Sequence, residues 1–227
     1  MKLDYWARNL TKEVYEEWKS KYSDWKQGVK LFYGPIHRKN PKLMVLTYNP
    51  GGDSFSFQKD LTRFENGDFS PYPEHEYTHR DYTFAKNIRK LFSNNFDLLE
   101  ESVALPIMFF RSKDTKLLKQ RFQKDKRKEA EKFCLEKVKQ IIEFLQPKKI
   151  LIIGINTHEK LKKMIMLDMR EKNSEYSFYP TKKETLYIVS KWEKIPVLTI
   201  RHISGSRFSN KDKEKLNQQL SKFLTDK

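Results

Sequence analysis

Trp6, Leu10, Val14, Trp18 and Tyr22 recur at steps of four, which stacks them along one side of an N-terminal helix that docks on the main body. Leu43 to Tyr48 is then a short apolar run stopped by Asn49-Pro50-Gly51-Gly52, and a run bounded this way predicts a buried strand. Residues 53 to 80 show no clear period, only scattered Phe, Tyr, Pro, Gly and His, and read as a long ordered loop forming a lid or pocket wall. Helical spacing returns at Phe84, Ile88, Leu91 and Phe92, with Asp81 or Thr83 near the cap. Val103 to Phe110 predicts a second strand, in which Pro106 deletes one ladder donor and implies a bulge or a sheet edge. Cys134, Val138, Ile141, Ile142 and Leu145 share one face of a long helix that Pro147 stops.

Lys149 to Ile153 is a third strand of the continuous apolar kind, ending at Gly154. Asn156 or Thr157 caps a helix with Leu161, Met164, Ile165 and Leu167 on its apolar side, and Thr185 to Val189 reads as a strand of a small hairpin or an edge. Pro196 to Ile200 is the last core strand, and Ser209 with Asp212 forms a capping-box pattern ahead of a final helix carrying Leu216, Leu220, Phe223 and Leu224. Strand and helix alternate, which predicts a parallel sheet with right-handed crossovers and helices on both faces, a three-layer α/β/α sandwich. Residues 1–40 form a helical extension packed on this domain, which spans residues 41–227.

Composition narrows the class. With 46 Lys and Arg against 30 Asp and Glu in 227 residues, the chain carries a formal charge of +16, which would attract a polyanion. At 14% aromatic it has ample material for a core, and interleaved aromatic and basic residues suit nucleic acid better than a lipid surface. No apolar run approaches the roughly 20 residues that cross a bilayer, and the first residues lack a signal-peptide stretch, so a cytoplasmic protein that avoids membranes is expected. Cys134 is the single cysteine, which excludes an internal disulfide and a cysteine-rich zinc site.

In an open parallel sheet the ligand binds outside the carboxyl ends of the strands, so the loops after the four core strands are the candidates. Neither G-x-x-x-x-G-K nor G-x-G-x-x-G is present, which removes the Walker and dinucleotide readings. His75 and His79, four apart, would make a metal pair only on a helix, and Pro71 and Pro73 argue against one; Asp53 is a rival general base, and His158 is a second histidine near the strand ends.

An apolar strand ending in Asn49-Pro50-Gly51, followed late in the chain by a strand and His202-Ile203-Ser204, resembles the uracil-DNA glycosylase superfamily, in particular its mismatch-specific and single-strand-selective branches. The resemblance implies a central sheet of four parallel strands in the order second, first, third, fourth. It also implies a monomeric DNA N-glycosylase that needs no cofactor or metal and acts on an extruded base. Asn49 would then orient the attacking water, and His202, as a neutral imidazole donor, would meet the charge developing on the departing base. Pro50 and Gly51 would line the base pocket, beside Pro106 where the family usually offers a base-reading Asn. Phe55, Phe57 or Phe64 would supply a stacking platform. Arg111, Lys113, Ser204, Ser206 and Arg207 would hold the DNA backbone. The Pro106 and Ile203 departures point away from ordinary uracil and toward a modified or bulkier base. Two other readings stay open: a non-catalytic nucleic-acid-binding protein on the same fold, and an α/β hydrolase acting on a small nucleoside-like molecule.

Overall fold

Strands whose two faces are both covered favour apolar side chains, and the four core runs meet that requirement except at Thr47 and Thr199, whose hydroxyls find Tyr33 and His158. In the computed structural model, which describes residues 2–52, 54–113, 115–164, 173–177, 184–204 and 208–225, they become β1 (Met44–Thr47), β2 (Val103–Pro106), β3 (Ile150–Ile153) and β6 (Ile195–Ile200). All are parallel in the order β2-β1-β3-β6, with Met44 opposite Val103 and Ile150, and Ile150 opposite Val197. The expected four-stranded parallel sheet is nevertheless too small. β5 (Glu184–Trp192) pairs antiparallel with β6, and β4 (Asn173–Ser177) antiparallel with β5, giving a mixed six-stranded sheet. A chain that returns through a hairpin rather than a helix pairs antiparallel, which extends the sheet beyond its parallel part.

Alternate strand residues feed two separate cores. On one face Met44, Leu46, Val103, Leu105, Ile150 and Ile152 pack with α1 (Leu3–Lys21), α6 (Thr115–Arg121), α7 (Lys124–Leu145) and α8 (Ile155–Met164). On the other, Leu43, Val45, Ala104, Leu151, Ile153 and Leu198 pack with α4 (Thr83–Leu91), α5 (Phe96–Glu100) and α9 (Asn210–Thr225). The α9 cap forms as its spacing predicts: the Asp212 amide donates to Ser209 Oγ at 3.1 Å, and the Ser209 amide donates back to Asp212 Oδ2 at 3.1 Å. No helix among the described residues is long and apolar enough to cross a membrane.

Pro106 sits on the edge strand, where a missing donor costs the sheet least. The chain between α1 and β1 runs antiparallel along this edge. Val29 bridges Phe110, and the Tyr33 amide donates to the Ala104 carbonyl at 2.9 Å. That strip occupies backbone groups an open edge would otherwise present.

The stretch from 53 to 80 is not the loop its composition predicts. It holds α2 (Ser54–Glu65) and the short α3 (Glu76–His79). Phe57, Asp60 and Phe64 are buried at i, i+3 and i+7 on one side of α2, and the charged residue in the middle of that stripe disguises its period. His75, at the N-cap of α3, accepts from the Tyr77 amide at 3.3 Å through Nδ1, and its Nε2 lies 3.2 Å from Ser102 Oγ. This is a packed interior histidine rather than half of a metal pair.

Burial lowers the His75 pKa to about 4. In the unfolded chain the group titrates near ~6.5, so between those values only the unfolded state binds the proton. Stability should therefore be intact above about pH 6.5 and fall as pH drops toward 4, by about 3 kcal/mol from this residue. Urea midpoints measured across that range for the wild type and His75→Gln check this: an identical acid slope in both would refute it.

Candidate functional site

The chain leaves β1 for β2 on one side and is joined by β3 on the other, so the turns at the carboxyl ends diverge and open a crevice. A cleft of ≈ 1790 Å³ occupies this position, with Asn49 beyond β1, Gly154 beyond β3 and His202 beyond β6 all in its lining. The resemblance requires Asn49 and His202 at one end of the sheet. They are.

The Asn49 loop is laced to the chain that follows β2. Asn49 Nδ2 donates to the carbonyls of Pro50 (2.9 Å) and Ser112 (3.0 Å), and the Ser112 amide donates to Pro50 O at 2.9 Å. With both amide protons committed, Oδ1 is the side-chain atom suited to accept a hydrogen bond from water. Gly52, at φ +105°, takes the sharp turn, where a Cβ would lie 3.3 Å from the Arg111 guanidinium. Gly51 needs no such freedom; its carbonyl accepts from Arg111 Nη1 at 3.2 Å. Arg111 in turn pairs with Asp60 of α2, and the two are only 6% and 3% exposed. Arg111 lines the cleft but is buried, and it clamps the loop through the Gly51 carbonyl.

His202 stacks on Phe84, ring centroids 5.3 Å apart, and its Nδ1 lies 2.6 Å from the Ser204 carbonyl. The Ser204 amide and Oγ each lie 3.3 Å from the same nitrogen, so this residue surrounds Nδ1. Gly154, at φ +109°, makes the turn from β3 into α8 beside His202; a Cβ there would stand 3.0 Å from Thr157 Oγ1. Gly154→Ala should lower the unfolding midpoint through this strain, and an unchanged thermal transition would count against the turn's requirement.

Gly51, Phe55, Lys113 and Ser204 also line the cleft. Phe55 is 78% exposed, an unusual state for a large aromatic and one that suits a stacking platform. Phe57 and Phe64 are core instead: Phe57 packs edge-on against Trp18 and Phe64 stacks on Phe69. Helical geometry separates them, since Phe57 and Phe64 share the inner side of α2 with Asp60 and Phe55 does not. Pro50 and Pro106 are buried and do not line the cleft, so neither forms a pocket wall. Asp53, Ser206 and Arg207 lie outside the described residues, as do Ile165 and Leu167 of the predicted apolar side after β3.

The chain matches no family model and no curated protein.

One wall of the cleft has no counterpart in the sequence reading. Lys30, Tyr33, Thr47, Glu76, Tyr77 and Tyr82 converge there from three parts of the chain. Tyr33 Oη lies 3.3 Å from Thr47 Oγ1, and Tyr82 Oη donates to Glu76 Oε1 at 2.9 Å. Burial raises the pKa of Tyr33 and Tyr82 far above the ordinary phenol value, so their hydroxyls stay protonated. No spacing rule connects residues 30, 47 and 76. Only the register of the strip along β2 brings them together. His158 is fully buried against Thr199, 2.8 Å from Nδ1 to Oγ1, and lies outside the lining. Among the described residues no group of three or more His, Cys, Asp or Glu is arranged to hold a metal ion.

Proposed function

We propose that the protein is a DNA N-glycosylase of the uracil-DNA glycosylase type, hydrolysing the bond between deoxyribose and an extruded base that is modified or bulkier than uracil. The observation that carries this reading is the meeting of Asn49 and His202 at the rim of one cleft, from strands in the order the resemblance implies. Fold alone would not support it, since parallel α/β sheets host many chemistries.

Size and charge support a polymer rather than a small molecule. At ≈ 1790 Å³ the cleft exceeds the ~300–1000 Å³ typical of small-molecule sites, leaving room for a nucleotide with flanking backbone. Exposed Lys59, Arg80, Lys113, Lys119 and Lys163 line it, suited to phosphates on either side of the flipped nucleotide. Phe55 offers a face to an unstacked base.

The chemistry follows from the two loops. Cleavage passes through an oxocarbenium-like state in which positive charge builds on the sugar and negative charge on the base. Asn49 Oδ1 orients water toward the anomeric carbon. His202, with Nδ1 held beside Ser204, meets the charge developing on the departing base. Oligonucleotides carrying uracil, mismatched, deaminated and hypermodified bases, scored by alkali-sensitive abasic sites, test the reading. Tight binding with no abasic product from any of them would instead favour a non-catalytic nucleic-acid-binding protein.

Affinity for DNA should be strongly salt-dependent. If about four to six phosphates are neutralised, binding falls on the order of a hundredfold or more between about 50 and 200 mM salt. Reversing charge at Lys113 and Lys163 should flatten the salt slope, by about one unit for each phosphate that goes without its cation. An unchanged slope in that variant would move the DNA path off the cleft, toward the basic start of α7.

A further inference from the structure

Lys30 is a cleft lysine that the proposed hydrolysis does not use, and its setting differs from that of the exposed lysines on the rim. Its side chain is 12% exposed and pairs with Glu76, itself 19% exposed. Glu76 is held in turn by the Tyr82 hydroxyl on its other oxygen, at 2.9 Å. The rings of Tyr33 and Tyr72 stand 5.6 and 5.1 Å from the ammonium. A nucleophile, a base within hydrogen-bond reach and a third group fixing the base is the arrangement of an activated amine.

We propose that Lys30 is a nucleophile that captures the aldehyde of an abasic deoxyribose as a covalent imine, with Glu76 relaying the proton and Tyr82 holding Glu76. The inference rests on the base-excision reading, because the abasic sugar is that reaction's product and would form in the same cleft.

The steps balance within the site. The Lys30 ammonium gives a proton to the Glu76 carboxylate, and the freed amine attacks C1′ of the ring-opened sugar. A C–N bond forms while the carbonyl π pair moves to oxygen, which takes a proton from the nitrogen to give a carbinolamine. Glu76 returns its proton to that hydroxyl, and water departs as the C=N bond forms. The charges facing the amine are Glu76, Arg111 and Asp60. Burial lowers its pKa below the ordinary lysine value, Glu76 opposes that shift and Arg111 adds to it, so the neutral amine is more accessible than on an exposed lysine.

The test uses the full chain and an oligonucleotide carrying a preformed abasic site, which bypasses base excision, with sodium cyanoborohydride to reduce any imine to a stable secondary amine. A one-to-one adduct that maps to Lys30 by peptide mass is expected, with its yield at least tenfold lower in Lys30→Arg, which keeps the cation but not the nucleophile. Glu76→Gln should slow trapping, and added formate should restore part of the rate, a rescue that a purely structural ion pair would not show. No adduct, or an adduct on another amine such as Lys59 or Lys113, overturns the proposal; because the map is read on the wild type, the result stands even if a variant fails to fold. A protein that releases bases but is not trapped loses this inference alone, whereas one that is trapped at Lys30 but releases no base loses the excision reading alone.

Discussion

Replacing His202 with alanine is expected to slow single-turnover base release by roughly two to four orders of magnitude, the range typical of losing one preorganised electrostatic stabiliser, while DNA affinity stays nearly intact. The imidazole stacks on Phe84 and touches the chain mainly through Ser204, so its loss removes little packing and acts on the transition state. Asn49→Ala should bring a loss of similar size, since water loses its orienter and the Ser112 carbonyl loses the side-chain donor that ties the two loops. Rapid-quench cleavage of the preferred substrate, beside equilibrium binding of the same oligonucleotide, separates the two effects. Wild-type rates in both variants would leave the binding-module reading ahead.

The second large effect concerns stability. Asp60→Ala would strand the Arg111 guanidinium at 6% exposure without its counter-ion, and removing one partner of a buried pair costs about 3–5 kcal/mol. Tyr72 would also lose the acceptor for its hydroxyl, 2.5 Å away. The double variant Asp60→Leu with Arg111→Met should recover much of that stability, because two apolar side chains need no compensation. It should not recover full base release, since the Gly51 carbonyl would have lost the donor that steadies the Asn49 loop. Denaturant midpoints and turnover measured on all three proteins distinguish these outcomes. A single variant as stable as wild type would show that the pair contributes nothing.

How much of this was readable beforehand depends on where each residue finds its partners. The four parallel strands announce themselves because both faces are buried, leaving only Thr47 and Thr199 as polar positions in the runs. β4 escapes notice, since Asn-Ser-Glu-Tyr-Ser is a polar sequence that becomes a strand only because β5 lies beside it. α2 escapes for a related reason: Asp60 is acceptable in a buried stripe because Arg111, 51 residues on, neutralises it. The same distant pairing buries Arg111 at the cleft wall and makes it a clamp on the Asn49 loop. Asn49 and His202 were legible because loops that follow parallel strands must emerge at one end of the sheet. Lys30 and Glu76 were not, because 46 residues separate them and neither stands in a pattern.

The strip along the β2 edge also bears on how the chain is made. Trp25 Nε1 donates to the Arg111 carbonyl 86 residues later, and Lys137 of α7 pairs with Glu13 of α1 across 124 residues. The aromatic face of α1 is made before β2 and α7, and until they follow it can pack only on residues such as Phe32, Phe57 and Phe64, while Trp6 waits for Phe144. The central strand waits likewise, since both of its neighbours come later in the chain. Such long-range pairings fold slowly, and they expose a sticky tryptophan-bearing helix in the meantime. Nascent chains of this protein should therefore depend on holding chaperones until α7 has emerged, and placing the α1 segment after α9 by circular permutation should relieve that dependence.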